Sequence, residues 1–222
     1  MLTVKNLPVL LAAILFLAAC SDPVARAREN LASDDPEVRA AAARYLSEKR
    51  DKEAAPRLVR MLDDEDVGVR EAVVRALGNI GAREAAQPLA ELYSKEDDRD
   101  VRLAASRAMA SIGTPSVEPL VGILASPRPE VRAGAARILG RIGSQRAVDP
   151  LIRLIDDPDA DVRKAAIHSL RSIGGSRALD AIARAVQDRD RDVESAAEDE
   201  LGGRGYEGQL DRARRFVRGA VR

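Results

Sequence analysis

Cysteine, histidine and aromatic side chains are scarce in this chain. Its 222 residues include one cysteine, one histidine, no tryptophan, three tyrosines and two phenylalanines. A single cysteine excludes a disulfide within the chain, and one histidine with one cysteine gives too few ligands for a zinc site. The shortage of aromatics argues against the stacking platforms that hold single-stranded nucleic acids. We therefore expect no metal, no cofactor and no nucleic-acid partner.

The charge balance favours the same conclusion. The chain has 36 basic and 36 acidic side chains, so its formal net charge is zero and no overall field attracts nucleic acid. Hydrophobic residues make up 45% and charged residues 32% of the chain, which is typical of an ordered protein. A core with so few aromatics is possible where alanine-rich and leucine-rich helix pairs pack closely against their neighbours, as in helical repeat proteins.

The first twenty residues have the pattern of an export signal. Lys5 precedes an apolar run over residues 7–19, which is shorter than the ~20 residues of a membrane-spanning helix. The run ends in Leu-Ala-Ala-Cys, which resembles the lipobox of bacterial lipoproteins. The resemblance implies that residues 1–19 are removed, that Cys20 carries a lipid anchor, and that the protein lies in the bacterial cell envelope. By the same family rule, Ser21 favours the periplasmic face of the outer membrane. An uncleaved anchor or an ordinary signal peptide is the alternative.

One pattern then recurs six times. An anchor valine is followed at +3, +4 and +8, and in the four middle units also at +11, by apolar or small residues, which is the spacing of one helical face. The intervals between successive anchors are 31, 32, 30, 31 and 31 residues, a period that indicates stacked helical units. The anchors are Val38, Val69, Val101, Val131, Val162 and Val193.

Each unit carries the start and stop signals of helices. Aspartate lies three residues before the anchor in five units and predicts an N-cap, while Arg128 takes that position in the fourth. Glycine twelve residues after the anchor predicts the end of the first helix in four units, and a second helix with a proline near its start follows. Arg50 replaces this glycine in the first unit, so we expect a looser turn there.

These features resemble a known repeat family. The segment Asp-Ala-Asp-Val-Arg-Lys-Ala-Ala at residues 159–166, followed by Leu170, Ile173 and Gly174, is similar to HEAT repeats of the bilin-lyase-like subtype. The resemblance covers residues 34–202. It implies an all-α fold, namely a right-handed α-solenoid of about six two-helix repeats, with first helices on the convex side and second helices on the concave side. Members of the family serve mostly as protein-binding scaffolds, and some attach bilin chromophores. We also predict a capping helix within residues 20–33 and a basic capping helix within residues 203–222.

The repeat arranges polar side chains in three rows. The arginine directly after the anchor flanks the buried stripe and can reach acidic residues at the next helix start, so we interpret this row as a structural ladder. The row six residues after the anchor, the outer row, is either a solvated face or a basic stripe for an anionic partner such as lipid headgroups. The inner row, on the solvent side of the second helices, offers contacts for a protein partner. The ladder is Arg39, Arg70, Arg102, Arg132 and Arg163; the outer row is Arg44, Arg75, Arg107, Arg137 and His168; the inner row is Arg60, Glu91, Arg153 and Arg184.

No catalytic residue can be assigned. His168 has no identifiable base or nucleophile as a partner. The acidic loops at residues 157–161 and 188–192 begin like EF-hands but place valine where glycine is needed, so N-capping explains them better. We therefore predict a membrane-anchored envelope lipoprotein that acts as a non-catalytic scaffold for an unidentified protein partner. Two alternatives remain open: a bilin-lyase-like enzyme or chromophore-protein chaperone, and a mechanical envelope spacer.

Overall fold

The computed structural model describes residues 22–202 and Gly208. Within that part of the chain it contains twelve α-helices and several short 3-10 turns, and no strand. The predicted lipidation residue, Cys20, lies outside the described residues. So does the basic capping helix predicted for residues 203–222, of which only Gly208 is described. The helices are α1 (Pro23–Asn30), α2 (Pro36–Glu48), α3 (Ala55–Arg60), α4 (Val67–Ile80), α5 (Ala86–Lys95), α6 (Arg99–Ile112), α7 (Val117–Ile123), α8 (Pro129–Ile142), α9 (Val148–Arg153), α10 (Ala160–Ile173), α11 (Ser176–Ala185) and α12 (Arg191–Leu201).

Aspartate caps fix where the first helix of most repeats begins. Asp159 Oδ1, for example, accepts hydrogen bonds from the backbone N–H groups of Asp161 at 2.9 Å and Val162 at 3.1 Å, which satisfies donors that the first turn leaves open. An aspartate side chain also caps α2, α4, α6 and α12, with two such hydrogen bonds in α6 and α12 and one in α2 and α4. Helix α8 is the exception, because Arg128 makes no capping bond and Pro129 occupies the first position.

Arg50 ends the first repeat's leading helix in the conformation that the later repeats reach with glycine. Its φ is 50°, while the glycines at the equivalent positions have φ between 71° and 77°. A non-glycine residue pays about 1 kcal/mol for this left-handed conformation. Arg50 shares the positive φ of these glycines, whose ψ values differ, for example 38° at Gly81 and −132° at Gly113.

The helices stack in two layers. The first helices α2, α4, α6, α8, α10 and α12 each pack against the next, the second helices α3, α5, α7, α9 and α11 lie beside them, and α1 covers α2 at the N-terminal end. The residue eight positions after each anchor fills the space between layers and is fully buried in every repeat. These residues are Leu46, Leu77, Met109, Leu139, Leu170 and Leu201.

Two buried glycines let neighbouring first helices approach closely. A Cβ atom at Gly78 would lie 2.7 Å from Ala108 Cα, and one at Gly140 would lie 2.8 Å from Ser169 Cα. The close approach also allows hydrogen bonds between helices, since Ser169 Oγ lies 2.8 Å from the Ala136 carbonyl oxygen. Small residues at these positions therefore set the spacing between repeats.

The substitution Gly140→Ala should destabilise the protein although alanine is the better helix former. In an open helix the change would stabilise by ~0.5–1 kcal/mol, but here the added methyl group meets the Ser169 backbone and the cost of overpacking is about 1–3 kcal/mol. Chemical denaturation measures the difference. Gly122→Ala is the matched control, because Gly122 is in α7 with nothing within 4 Å of a new Cβ, and it should stabilise. Equal stabilisation by both changes would contradict the close helix contact.

Candidate functional site

The arginine after each anchor connects one repeat to the next. Arg163, which is 4% exposed, donates from Nε and Nη2 to the two carboxylate oxygens of Asp188 at 2.8 and 2.9 Å. Its Nη1 donates to the carbonyl oxygen of Asp157 at 2.8 Å, at the start of its own repeat. One guanidinium therefore holds two successive loops, using the planar fork that suits a carboxylate.

The same geometry occurs at three other steps. The carboxylate that receives the arginine lies five residues before the anchor valine of the next repeat, and it also accepts the backbone N–H of the N-cap residue two positions later. Sequence reasoning located the arginines but not these acids, although their regular position is visible in the chain. The three further pairs are Arg39–Asp64, Arg70–Glu96 and Arg132–Asp157.

Arg102 departs from the predicted ladder. Its Nη1 donates to the Glu96 carbonyl oxygen at 2.9 Å, as the other arginines do within their own repeats. The next loop, however, has Ser126 where the other repeats have Asp or Glu, and Ser126 Oγ accepts only the Arg128 backbone N–H at 3.3 Å. Among the described residues Arg102 makes no ion pair with a carboxylate, so its assignment as an equal member of the ladder is corrected.

The ladder carboxylates are more acidic than ordinary ones. Burial disfavours their charged form, but hydrogen bonds from the arginine and from a backbone N–H outweigh it. The pKa of each carboxyl is lowered as a result, and the four residues concerned are Asp64, Glu96, Asp157 and Asp188.

Stability should therefore decline in acid. Free carboxyls titrate near about pH 4, so the unfolded chain binds more protons than the folded chain below that region and the free energy of unfolding falls as pH decreases. The contribution is fully present above the unfolded pKa and is lost as pH drops through the lowered folded values. Thermal melting should give a constant Tm above about pH 5.5 and a falling Tm below about pH 5. Asp157→Asn should be less stable at neutral pH and decline less steeply, and a Tm that rises in acid would contradict the ion-pair geometry.

The outer row lies along the solvent-facing side of the first helices. Arg44, Arg107 and Arg137 are exposed, and none of them forms an ion pair within the described part of the chain. Arg75 Nη2 pairs with Glu71 at 2.6 Å on the same helix. The last member differs, because His168 Nδ1 lies 2.6 Å from Glu200 Oε1 of α12. The row thus presents arginines without an ion pair in the first, third and fourth of the described repeats.

The inner row is exposed and mixed in charge. Arg60, Glu91, Arg153 and Arg184 all face solvent on the second helices, and Glu91 accepts a hydrogen bond from Gln87 at 2.8 Å. These four residues lie on different repeats and do not converge on one site. Over residues 22–202 the large apolar side chains with substantial exposure are Val67 and Leu103, at 43% each, so a partner meets a polar surface.

The acidic loops serve the helix starts. Asp157 binds Arg132 and the Asp159 backbone, while Asp159 caps α10. In the described residues no group of three or more His, Cys, Asp or Glu side chains is placed to hold a metal ion. None of the described helices combines the length and the apolar character that crossing a bilayer requires.

Comparison with known proteins places this geometry in a family. A family model described as HEAT repeats matches residues 24–110 and 117–202, which together make up most of the chain. The chain belongs to the HEAT-repeat family. The prediction of an all-α, right-handed solenoid of about six HEAT-like repeats is confirmed.

Two relatives of this HEAT-repeat chain carry names linked to bilin pigments. "Uncharacterized phycocyanin operon protein Z" of Pseudanabaena tenuis is 29% identical over 125 residues, covering 52% of this chain and 61% of the relative. "Bilin biosynthesis protein PecE" of Mastigocladus laminosus is 32% identical over 127 residues, covering 55% of this chain and 46% of the relative. The predicted resemblance to HEAT repeats of the bilin-lyase-like subtype is confirmed, while the chain spans less than two thirds of either relative.

A solved structure shows the same architecture at low sequence identity. A chain from a structure concerning microtubule plus-end tracking by XMAP215, CLIP-170 and EB1 superposes with a TM-score of 0.61 and 15% identity, covering 81% of this chain and 90% of that one. This likeness shows the fold alone.

Proposed function

We propose that this HEAT-repeat protein is a membrane-anchored envelope lipoprotein that acts as a scaffold for a protein partner with an acidic surface. The main observation behind this proposal is the outer row, where exposed arginines such as Arg107 and Arg137 recur on successive first helices of the stack. The apolar side chains of the described chain lie mainly in the core of the solenoid. Electrostatic complementarity is the means of recognition that such a polar surface offers.

The first helix begins close in sequence to the proposed lipid site. Helix α1 begins at Pro23, and Asp22 caps it by accepting the Val24 backbone N–H at 3.0 Å. A lipid on Cys20 would leave only Ser21 between the modified residue and the N-cap residue Asp22. The solenoid would then lie directly at the bilayer surface.

Site-specific photo-crosslinking in cells tests the scaffold. A photoreactive residue at Arg107, on the outer row, should give a discrete adduct with one partner, and the same residue at Arg153, on the inner row, serves as the matched control. The adduct at position 107 should weaken when Arg137→Glu reverses the adjacent charge in the row. If neither position yields a specific adduct, the scaffold role fails and a mechanical spacer is favoured.

Fractionation of cells tests the anchor. Cys20→Ser should move the protein from the membrane to the soluble fraction or leave it unprocessed, because the acyl chains that hold it would be absent. Ser21→Ala is the matched control and should leave membrane attachment intact. Unchanged membrane partition of the Cys20→Ser variant would remove the lipoprotein from the proposal.

A bilin-related activity is a second candidate. It rests on the 32% identity with the protein named for bilin biosynthesis. Mixing the purified chain with a free bilin and following visible absorbance is the test: a saturable spectral change would support it, and an unchanged spectrum would oppose it.

A further inference from the structure

The junction between the third and fourth repeats departs from the pattern of the other junctions. Tyr93 lies where the corresponding second helices have Leu62, Leu124, Ile155 and Val186. Ser106 lies five residues after its anchor, and no other first helix has serine at that position. Arg141 lies ten residues after its anchor, and no other described first helix has arginine there. Helices α6 and α8 contact each other less extensively than any other pair of neighbouring first helices in the described chain. Because several residues at this one junction differ from their counterparts in the other repeats, we infer that the junction has a role besides repeat stacking.

These changes open a polar pocket of about 520 Å³ between α6 and α8. Gly134 makes room for a side chain from the layer beneath, because a methyl group built on it would overlap the Tyr93 hydroxyl oxygen. Arg141 Nη2 donates to Ser106 Oγ across the pocket. The polar groups at its wall are Tyr93, Arg99, Arg102, Ser106, Arg137 and Arg141.

The pocket has a surplus of positive charge. Four arginines line it, and none of its lining residues is a carboxylate. The acid that would neutralise Arg102 at any other ladder step is replaced by Ser126. Glu130 is held 2.8 Å from Arg128 Nε, and Asp161 is held 2.9 Å from Lys164, so the carboxylates near Arg102 and Arg137 already have cationic partners.

Tyr93 adds a buried donor to this wall. The residue is 6% exposed, and its hydroxyl makes no hydrogen bond within the part of the chain that the structure describes. Burial raises the pKa of the Tyr93 hydroxyl, while Arg102, Arg137 and Arg141 act in the opposite direction. A hydroxyl at the pocket wall that makes no hydrogen bond within the described chain and lies near several guanidinium groups is placed to donate to an anionic oxygen.

We propose that this pocket binds a phosphate monoester group. Guanidinium groups donate pairs of hydrogen bonds that match phosphate oxygens. A phosphate monoester carries close to two negative charges and three terminal acceptor oxygens, which suits four arginines and a hydroxyl better than a carboxylate with two oxygens and one charge. The pocket shares Arg137 with the outer row, but Arg102 and Tyr93 belong to the pocket and not to that row, so the Arg102→Gln variant tests this proposal independently of the scaffold.

Calorimetric titration of the full-length chain, purified in a non-ionic detergent, tests the site with inorganic phosphate. The pH is about 8, where the dianion predominates, and sodium chloride keeps the ionic strength constant. A second arm measures co-sedimentation with phosphatidylcholine vesicles that contain phosphatidic acid, which presents the same group on a lipid. Binding in the first arm identifies a soluble source, and binding in the second arm alone identifies a lipid headgroup.

Substitutions in the pocket decide whether binding occurs there. Arg102→Gln and Arg137→Gln should each weaken binding about tenfold, since each removes a charge-assisted hydrogen-bond donor. Arg153→Gln removes the same charge from the inner row and should have no effect. Both pocket arginines are accessible enough for glutamine to be accommodated, and circular dichroism verifies that the variants fold. Absence of binding in both arms, or equal weakening by all three substitutions, would overturn the proposal.

Discussion

Arg163→Ala should lower the free energy of unfolding by about 3 kcal/mol. Removing one partner of a buried ion pair leaves the other charge without compensation and typically costs about 3–5 kcal/mol. The lower end applies here because Asp188 keeps the hydrogen bond from the Asp190 backbone N–H at 2.9 Å. The Asp157 carbonyl oxygen would lose its hydrogen bond from Arg163 Nη1, which lowers the free energy of unfolding further. Urea denaturation followed by circular dichroism measures the change.

Lys95→Ala is the matched control for the loss of a cation. Lys95 Nζ lies 2.9 Å from Asp63 Oδ1, but the two side chains are 61% and 77% exposed, so the loss should stay within ~0.5 kcal/mol. A double-mutant cycle with Asp188→Asn should show strong coupling to Arg163→Ala. Equal effects of the two cation removals would mean that the ladder contributes no more than surface pairs.

Leu139→Ala should cost about 2–5 kcal/mol, through the lost transfer free energy and the cavity left behind. Leu139 is fully buried in α8, eight residues after its anchor, where the helix packs on α7 and α10. For a chain of this size the corresponding fall in Tm is about 2–4 °C for each kcal/mol. The loss should appear in the melting temperature of the full-length chain.

Leu103→Ala provides the same chemical change at a surface position. Leu103 is 43% exposed on α6, so its truncation should alter stability by no more than ~0.5 kcal/mol. If Leu139→Ala and Leu103→Ala gave the same melting curve, the assignment of the buried stripe would be wrong by one or more helical positions.

The regular part of the fold could be predicted because repetition makes each position visible six times. The anchor valine, the aspartate cap and the apolar residue at +8 follow from helix periodicity and local hydrogen bonding, which act within a few residues. Asp159 and Leu170 therefore occupy in the structure the positions that their spacing indicates. Local chemistry was sufficient for these elements.

The irregular part depends on contacts between repeats. Asp188 lies 25 residues after Arg163 in a loop, so its pairing becomes evident only when one repeat stacks on the next. Arg102 has the same position relative to its anchor as its counterparts, and only the serine in the following loop distinguishes it. The overlap between Gly134 and Tyr93 links two helices that helix periodicity treats separately. Pairings of this kind require tertiary geometry.

The arginine ladder connects the repeats and, among the described residues, lacks a carboxylate partner at Arg102. The most direct test of this central claim is to measure the melting temperature of the Ser126→Asp variant with and without phosphate. The introduced carboxylate lies where the other ladder steps carry their acid, so it should pair with Arg102 and raise Tm in the absence of phosphate. The same pairing should reduce the increase in Tm that phosphate gives to the unmodified protein. A lower or unchanged Tm, together with an unaltered response to phosphate, would contradict both the ladder geometry and the open step.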